Sequence, residues 1–195
     1  SGTFDALYLN LAADGTMLAI SRRQFVGESL RTGFVSVLFI DETLTFSDAG
    51  FVATGRSSPQ VSLSANGMRV AISNVNGMEG GWSLFVFNTE GSRWIAWQTA
   101  TGSSPSEGAA IGATLSGDGT FVVVVSSLGN VFLRRQIVPD NFLSWVTVDV
   151  VNDTTAQEAT RVSLSRDGST IVVGRPWYTI GSTSDVGLVQ IYRDN

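Results

Sequence analysis

One pattern, repeated four times, constrains this chain more than any other feature. Residues 9–21 (LNLAADGTMLAIS), 61–73 (VSLSANGMRVAIS), 113–125 (ATLSGDGTFVVVV) and 162–174 (VSLSRDGSTIVVG) align with one another. Their turn glycines, Gly15, Gly67, Gly119 and Gly168, are spaced by 52, 52 and 49 residues. Within each segment an alternating apolar stretch meets Asp-Gly or Asn-Gly, and a second β-rich stretch follows. Such a dipeptide supplies the positive φ that a tight hairpin turn requires. The turn residues Asp14, Asn66, Asp118 and Asp167 therefore have a structural cause and carry no catalytic weight.

The rest of each repeat extends the hairpin. Third strands are expected at residues 34–40 (FVSVLFI), 82–87 (WSLFVF), 131–137 (VFLRRQI) and 187–192 (GLVQIY). Outer strands are expected near 43–46, 94–99 and 145–150. A four-stranded sheet of this kind has two apolar faces, as the run Phe121 to Val125 shows. One sheet alone cannot bury both, but sheets packed face to face in a ring do. A period of ~50 residues suits a propeller blade. The expected architecture is therefore all-β: a propeller of four ~50-residue antiparallel blades in one domain over 1–195. The repeats are set at about 7–58, 59–110, 111–159 and 160–195. A β-sandwich is the alternative. The last repeat ends soon after its third strand, so an incomplete final blade is expected, finished by Phe4 and its neighbours, by further residues or by another chain.

The pattern VSLSxDGxxVAIG followed by a loop and GxVxIY resembles the FG-GAP-like repeats of the integrin α-subunit propeller. Residues 162–192 carry it best and residues 61–73 next, and the four copies span nearly the whole chain. The resemblance implies an extracellular or cell-surface protein with protein partners. It also implies calcium in the loop after the second strand, but no DxDxDG run occurs here. The nearest stretch holds Asn74, Asn76 and Glu79. Its one carboxylate is poor provision for an ion that takes six to eight oxygens, and an Asn-rich turn is the plainer reading. No cofactor is expected.

Composition removes chemistry. The chain lacks Cys and His, and all 12 basic residues are Arg. A Ser–His–Asp triad, a Cys nucleophile, a Lys Schiff base and the usual zinc or haem ligands are thus unavailable. The net charge of −5 and the isolated pairs Arg22–Arg23 and Arg134–Arg135 do not make the basic footprint a nucleic acid needs. No apolar run reaches the ~18 residues of a membrane-spanning helix. The chain starts at Ser1 rather than Met, as a processed or trimmed form does. The single sequon, Asn152-Asp153-Thr154, matters only in a secreted protein.

Binding residues are expected where loops are long and unlike one another. These are the connections between the second and third strands and between successive blades. Arg175, Trp177 and Tyr178 stand together there, with Trp82, Arg22 and Arg23 at neighbouring loop ends. An Arg beside two aromatic rings suits a protein anchor or a stacked sugar. Trp94, Trp97 and Trp145 fall in outer strands and read as blade packing. Asp5, Glu107 and Glu158 each precede a first strand, which leaves a carboxylate-based glycoside hydrolase as a third reading. The expected function is a non-catalytic binding or scaffolding module for protein contacts or self-assembly, with a glycan-binding module as the alternative.

Overall fold

The computed structural model describes residues 3–26, 30–55, 60–73, 81–90, 93–100, 110–126, 128–136, 145–151 and 161–193. These contain strands and turns and no helix. The first sheet runs β1 (Thr3–Leu11), β2 (Met17–Val26), β3 (Leu30–Ile40) and β4 (Phe46–Gly55). The second runs β5 (Val61–Leu63), β6 (Arg69–Ser73), β7 (Trp82–Asn88) and β8 (Arg93–Ala100). The third runs β9 (Ala110–Leu115), β10 (Phe121–Ser126), β11 (Val131–Gln136) and β12 (Trp145–Val151). The fourth has three strands, β13 (Arg161–Leu164), β14 (Thr170–Arg175) and β15 (Leu188–Arg193). Every neighbouring pair is antiparallel and consecutive in sequence. This is the blade pattern that the repeat predicts.

The inner hairpins form because their turns satisfy themselves. Asp14 Oδ1 accepts from the Thr16 N–H and hydroxyl, and Asp118 and Asp167 do the same for Thr120 and Ser169. Asn66 Oδ1 accepts from the Met68 N–H in the second blade. In the last three blades a serine two residues earlier adds a bond. The Ser64, Ser116 and Ser165 hydroxyls donate to the turn side chain and accept from the N–H of Arg69, Phe121 and Thr170. Ala12 takes that place in the first blade.

Successive blades are joined in one repeated way. The Ala13 N–H donates to the Ala65 carbonyl at 2.9 Å, Ala65 to Gly117 at 2.7 Å, and Gly117 to Arg166 at 2.8 Å. Two residues earlier in each blade, the Leu63 N–H donates to Asn10 Oδ1 at 2.8 Å and the Leu115 N–H to Ser62 Oγ at 3.0 Å. Apolar clusters fill the space between blades. Met17, Ala19, Val35 and Val37 pack against Val61, Leu63, Val70 and Ile72. Ala71, Trp82 and Leu84 meet Leu115 and Val122, and Val123 and Val125 meet Ile171 and Val173. The first and last inner strands approach through the Arg161 guanidinium, 5.3 Å from the centre of the Tyr8 ring.

Three expectations need correction. The stretch from Asp41 to Thr45 is a turn, not an outer strand. Asp41 accepts from the N–H of Thr43 and Thr45 and from the Thr45 hydroxyl, and the outer strand is Phe46–Gly55. That strand occupies most of the region expected to be a connection between blades. Residues 22–33 are not mainly a loop: β2 runs on to Val26 and β3 starts at Leu30, so Arg22 and Arg23 lie in paired strand. Phe4 does not finish the last blade; it pairs with Gln24 inside the first.

Candidate binding site

The loop joining β14 to β15 is where the named residues gather. Arg175 ends β14 opposite Leu188. Pro176 follows, and Pro cannot donate to a ladder. The chain then turns out and back, with the Val186 N–H donating to the Tyr178 carbonyl at 3.0 Å and a one-bridge hairpin at Ile180 and Thr183. The excursion closes a hollow of about 780 Å³ against the end of the fourth blade. Arg175, Pro176, Trp177 and Val186 to Val189 line it, with Arg161 and Gly174 on the sheet side. No carboxylate is among these residues.

Arg175 is a brace and not a free recognition group. Its side chain is buried, with Nε donating to Gln190 Oε1 at 2.7 Å and Nη2 to the Gly129 carbonyl at 3.1 Å. The second bond ties the fourth blade to the turn of the third. A buried guanidinium is tolerated only when bonded in this way. Trp177 is more than half exposed at the rim, Ile180 and Val186 are exposed beside it, and Tyr178 is half-buried. Trp82 is buried between the second and third blades with the Arg134 guanidinium 5.7 Å from its ring, so it offers no surface to a ligand. Arg22 is half-buried on β2, Arg23 pairs with Asp5 in register, and neither lines the hollow.

A second recess of about 470 Å³ lies where the four inner turns converge. Asp14, Asn66, Asp118 and Arg166 ring it. Its carboxylates are committed to their own turns. Hydrogen bonds from Thr16 hold the Asp14 carboxyl below the ordinary carboxylate range. Outside the recess lining, bonds from Ser165 and Ser169 hold Asp167 at about 2. Burial pushes Asp118 up, but the Ser116 and Thr120 bonds and the Arg69 charge outweigh it, so it too sits low.

Asn74, Asn76, Glu79, Glu107, Glu158 and Asn152 lie outside the described residues. Among the described residues no three carboxylate, His or Cys groups gather in a metal-sized cluster. Sequence reasoning missed the exposed apolar residues of the outermost faces, Leu9, Leu11, Val189 and Ile191. Their signal was present: they sit at repeat positions that are apolar in every blade.

No family model matches the sequence, and no curated protein is similar to it. Solved structures are similar in fold. Sqt1 of Saccharomyces cerevisiae superposes with a TM-score of 0.63 at 9% identity, covering 89% of this chain and 43% of that one. The β-propeller domain of the Trilobed protease from Pyrococcus furiosus, described as having an open velcro topology, gives 0.57 at 11%, covering 98% and 55%. TolB from Acinetobacter baumannii gives 0.53 at 15%, covering 96% and 43%. The chain thus spans about half the length of these proteins. At such identities the likeness is one of fold, and the fold is that of consecutive β-propeller blades.

Proposed function

We propose that this chain is a non-catalytic scaffolding propeller that makes protein–protein contacts through its fourth blade. One observation carries the reading: the described lining of the hollow beside Trp177 is mostly apolar, holds no carboxylate and includes the exposed Val189 of β15. An exposed Trp beside a recess is the arrangement of an interface anchor. The FG-GAP-like pattern and an extracellular location belong to the same proposal and rest on sequence resemblance.

The test presents the purified chain to glycan arrays and to arrays of folded proteins, with Trp177→Ala alongside. The expected result is background signal on glycans and protein binding that falls about tenfold or more in the variant. Glycan binding that disappears in Trp177→Ala would replace this reading with a lectin.

A further inference from the structure

We infer that the outer strands carry a guard against edge-to-edge pairing with other chains. The guard is one extra residue, set at the same repeat position in each four-stranded blade. It breaks the outer edge into runs too short for a foreign strand to follow.

Equivalent positions show the pattern. Val35, Trp82 and Val131 pair with Ser21, Ser73 and Val125, which stand at one fixed distance from Gly15, Gly67 and Gly119. Two residues further along the third strand lie Val37, Leu84 and Leu133. Just after each of these, the ladder to the outer strand slips. Val37 pairs with Gly50 and Leu38 with Asp48, so Ala49 is extra. Leu84 pairs with Gln98 and Phe85 with Ala96, which leaves Trp97 over. Leu133 pairs with Asp149 and Arg134 with Thr147, which leaves Val148 over. The first blade slips a second time, at Val52. Each time the extra residue is on the outer strand. The ladders between the second and third strands are regular in all four blades.

Local sequence does not dictate this placement. The strands β4 (FSDAGFVATG), β8 (RWIAWQTA) and β12 (WVTVDVV) share no motif. The shared slip therefore belongs to the place in the blade, and bulges are a regular feature of sheet edges. Other devices that blunt an edge are scarce in these strands. None of the three contains Lys or Pro, and each holds a single charged residue: Asp48, Arg93 and Asp149. β8 and β12 are rich in β-branched and aromatic residues, the composition of segments that stack on copies of themselves.

β4, β8 and β12 are the last strands of their sheets among the described residues. The slips cut them into residues 46–48, 50–51 and 53–55, residues 93–96 and 98–100, and residues 145–147 and 149–151. The longest run, 93–96, has four residues. Cross-β pairing uses segments of about six or seven. The extra residue also bends the strand and raises its twist, so the N–H and C=O groups of neighbouring runs do not form one straight row. Edges are protected in this way elsewhere.

The experiment removes the extra residue from the 195-residue chain. Deleting Val148 keeps every cross-strand pair of the third blade and makes its ladder continuous, and a second variant lacks Trp97 instead. Both are incubated beside the wild type and beside Leu84→Ala, a change at a fully buried residue that leaves the bulges in place. Urea is adjusted so that all four start with the same folded fraction. The deletion variants are expected to lose soluble chain and gain thioflavin fluorescence, with amides of the edited outer strand protected from exchange in the aggregate. The wild type and Leu84→Ala are expected to stay in solution. Val146→Glu, placed opposite the exposed Arg135, is expected to return the Val148 deletion to solution, because a charge on an edge strand opposes pairing. The guard is overturned by deletion variants no less soluble than the wild type, by Leu84→Ala aggregating as they do, by aggregates that leave the outer strand unprotected, or by a glutamate that changes nothing.

Discussion

The second and third blades are closed on both faces; the first and fourth are closed on one. All four carry the same hairpin, the same turn chemistry and the same apolar alternation. The difference therefore lies outside the blade. A residue such as Leu11 or Val189 is apolar because its repeat position is apolar, and it becomes core only when a neighbour arrives. In a repeat array stability is a sum of blade terms and joint terms. The inner blades draw on two joints and the end blades on one.

Equal substitutions at equivalent positions would break or sharpen this contrast. The largest difference is expected between Leu63→Ala and Leu11→Ala. Truncating the buried Leu63 is expected to cost about 3 kcal/mol, from lost transfer energy and a cavity. Leu11→Ala is expected to cost less than about 1 kcal/mol, since Leu11 is 57% exposed. Urea denaturation of the wild type and the two variants reads both values. Equal losses would mean that Leu11 is covered in solution.

A smaller gap is expected between two glycines that share a left-handed backbone. Gly15 has φ +75° and Gly168 has φ +79°. An alanine at either is strained by about 1 kcal/mol. At Gly168 its Cβ would also fall 2.4 Å from the Phe121 ring, whereas at Gly15 it meets open space. Overpacking should therefore add about 1–3 kcal/mol at Gly168 only. The difference in urea midpoint between Gly168→Ala and Gly15→Ala checks this.

The smallest effect concerns acid. Hydrogen bonds from Ser165 and Ser169 depress the Asp167 carboxyl from 3.8 to about 2. A folded-state value below the unfolded one means stability that is present above pH ~4 and lost as the pH falls through ~2. Asp167→Asn should keep the turn, since Asn66 already builds the same one in the second blade. The variant should show a shallower loss of stability across that window. An unchanged slope, measured by urea titration at successive pH values, would place the acid sensitivity elsewhere.

What the sequence made legible follows from the range of the forces involved. The inner turns could be read because Asp-Gly and Asn-Gly act on their own backbone. The three-stranded last blade was legible from the missing outer stretch. The outer strand of the first blade was misplaced because its turn hides its character. Leu44, with φ +59°, stands where a glycine is usual, and only the bonds to Asp41 reveal the turn. The roles of Trp82 and Arg175 were not legible, because each is decided by a neighbouring blade. Trp82 lies against Arg134, and Arg175 bonds to Gly129, 46 residues away. In the loop after β14 the Arg braces while the Trp is presented.

The joint from Ala13 through Ala65 and Gly117 to Arg166 has a consequence for how such chains change over generations. Its bonds run from backbone to backbone, and of the four places, which are Ala, Ala, Gly and Arg, Gly117 is confined by the Arg166 side chain packed over it. A duplicated or deleted repeat would meet its new neighbours through the same connection. What then limits the number of blades is the taper of the wedge between them, set by the bulk of residues such as Val35, Trp82 and Val131. Repeat number and surface loops can drift independently, with the connection itself left untouched.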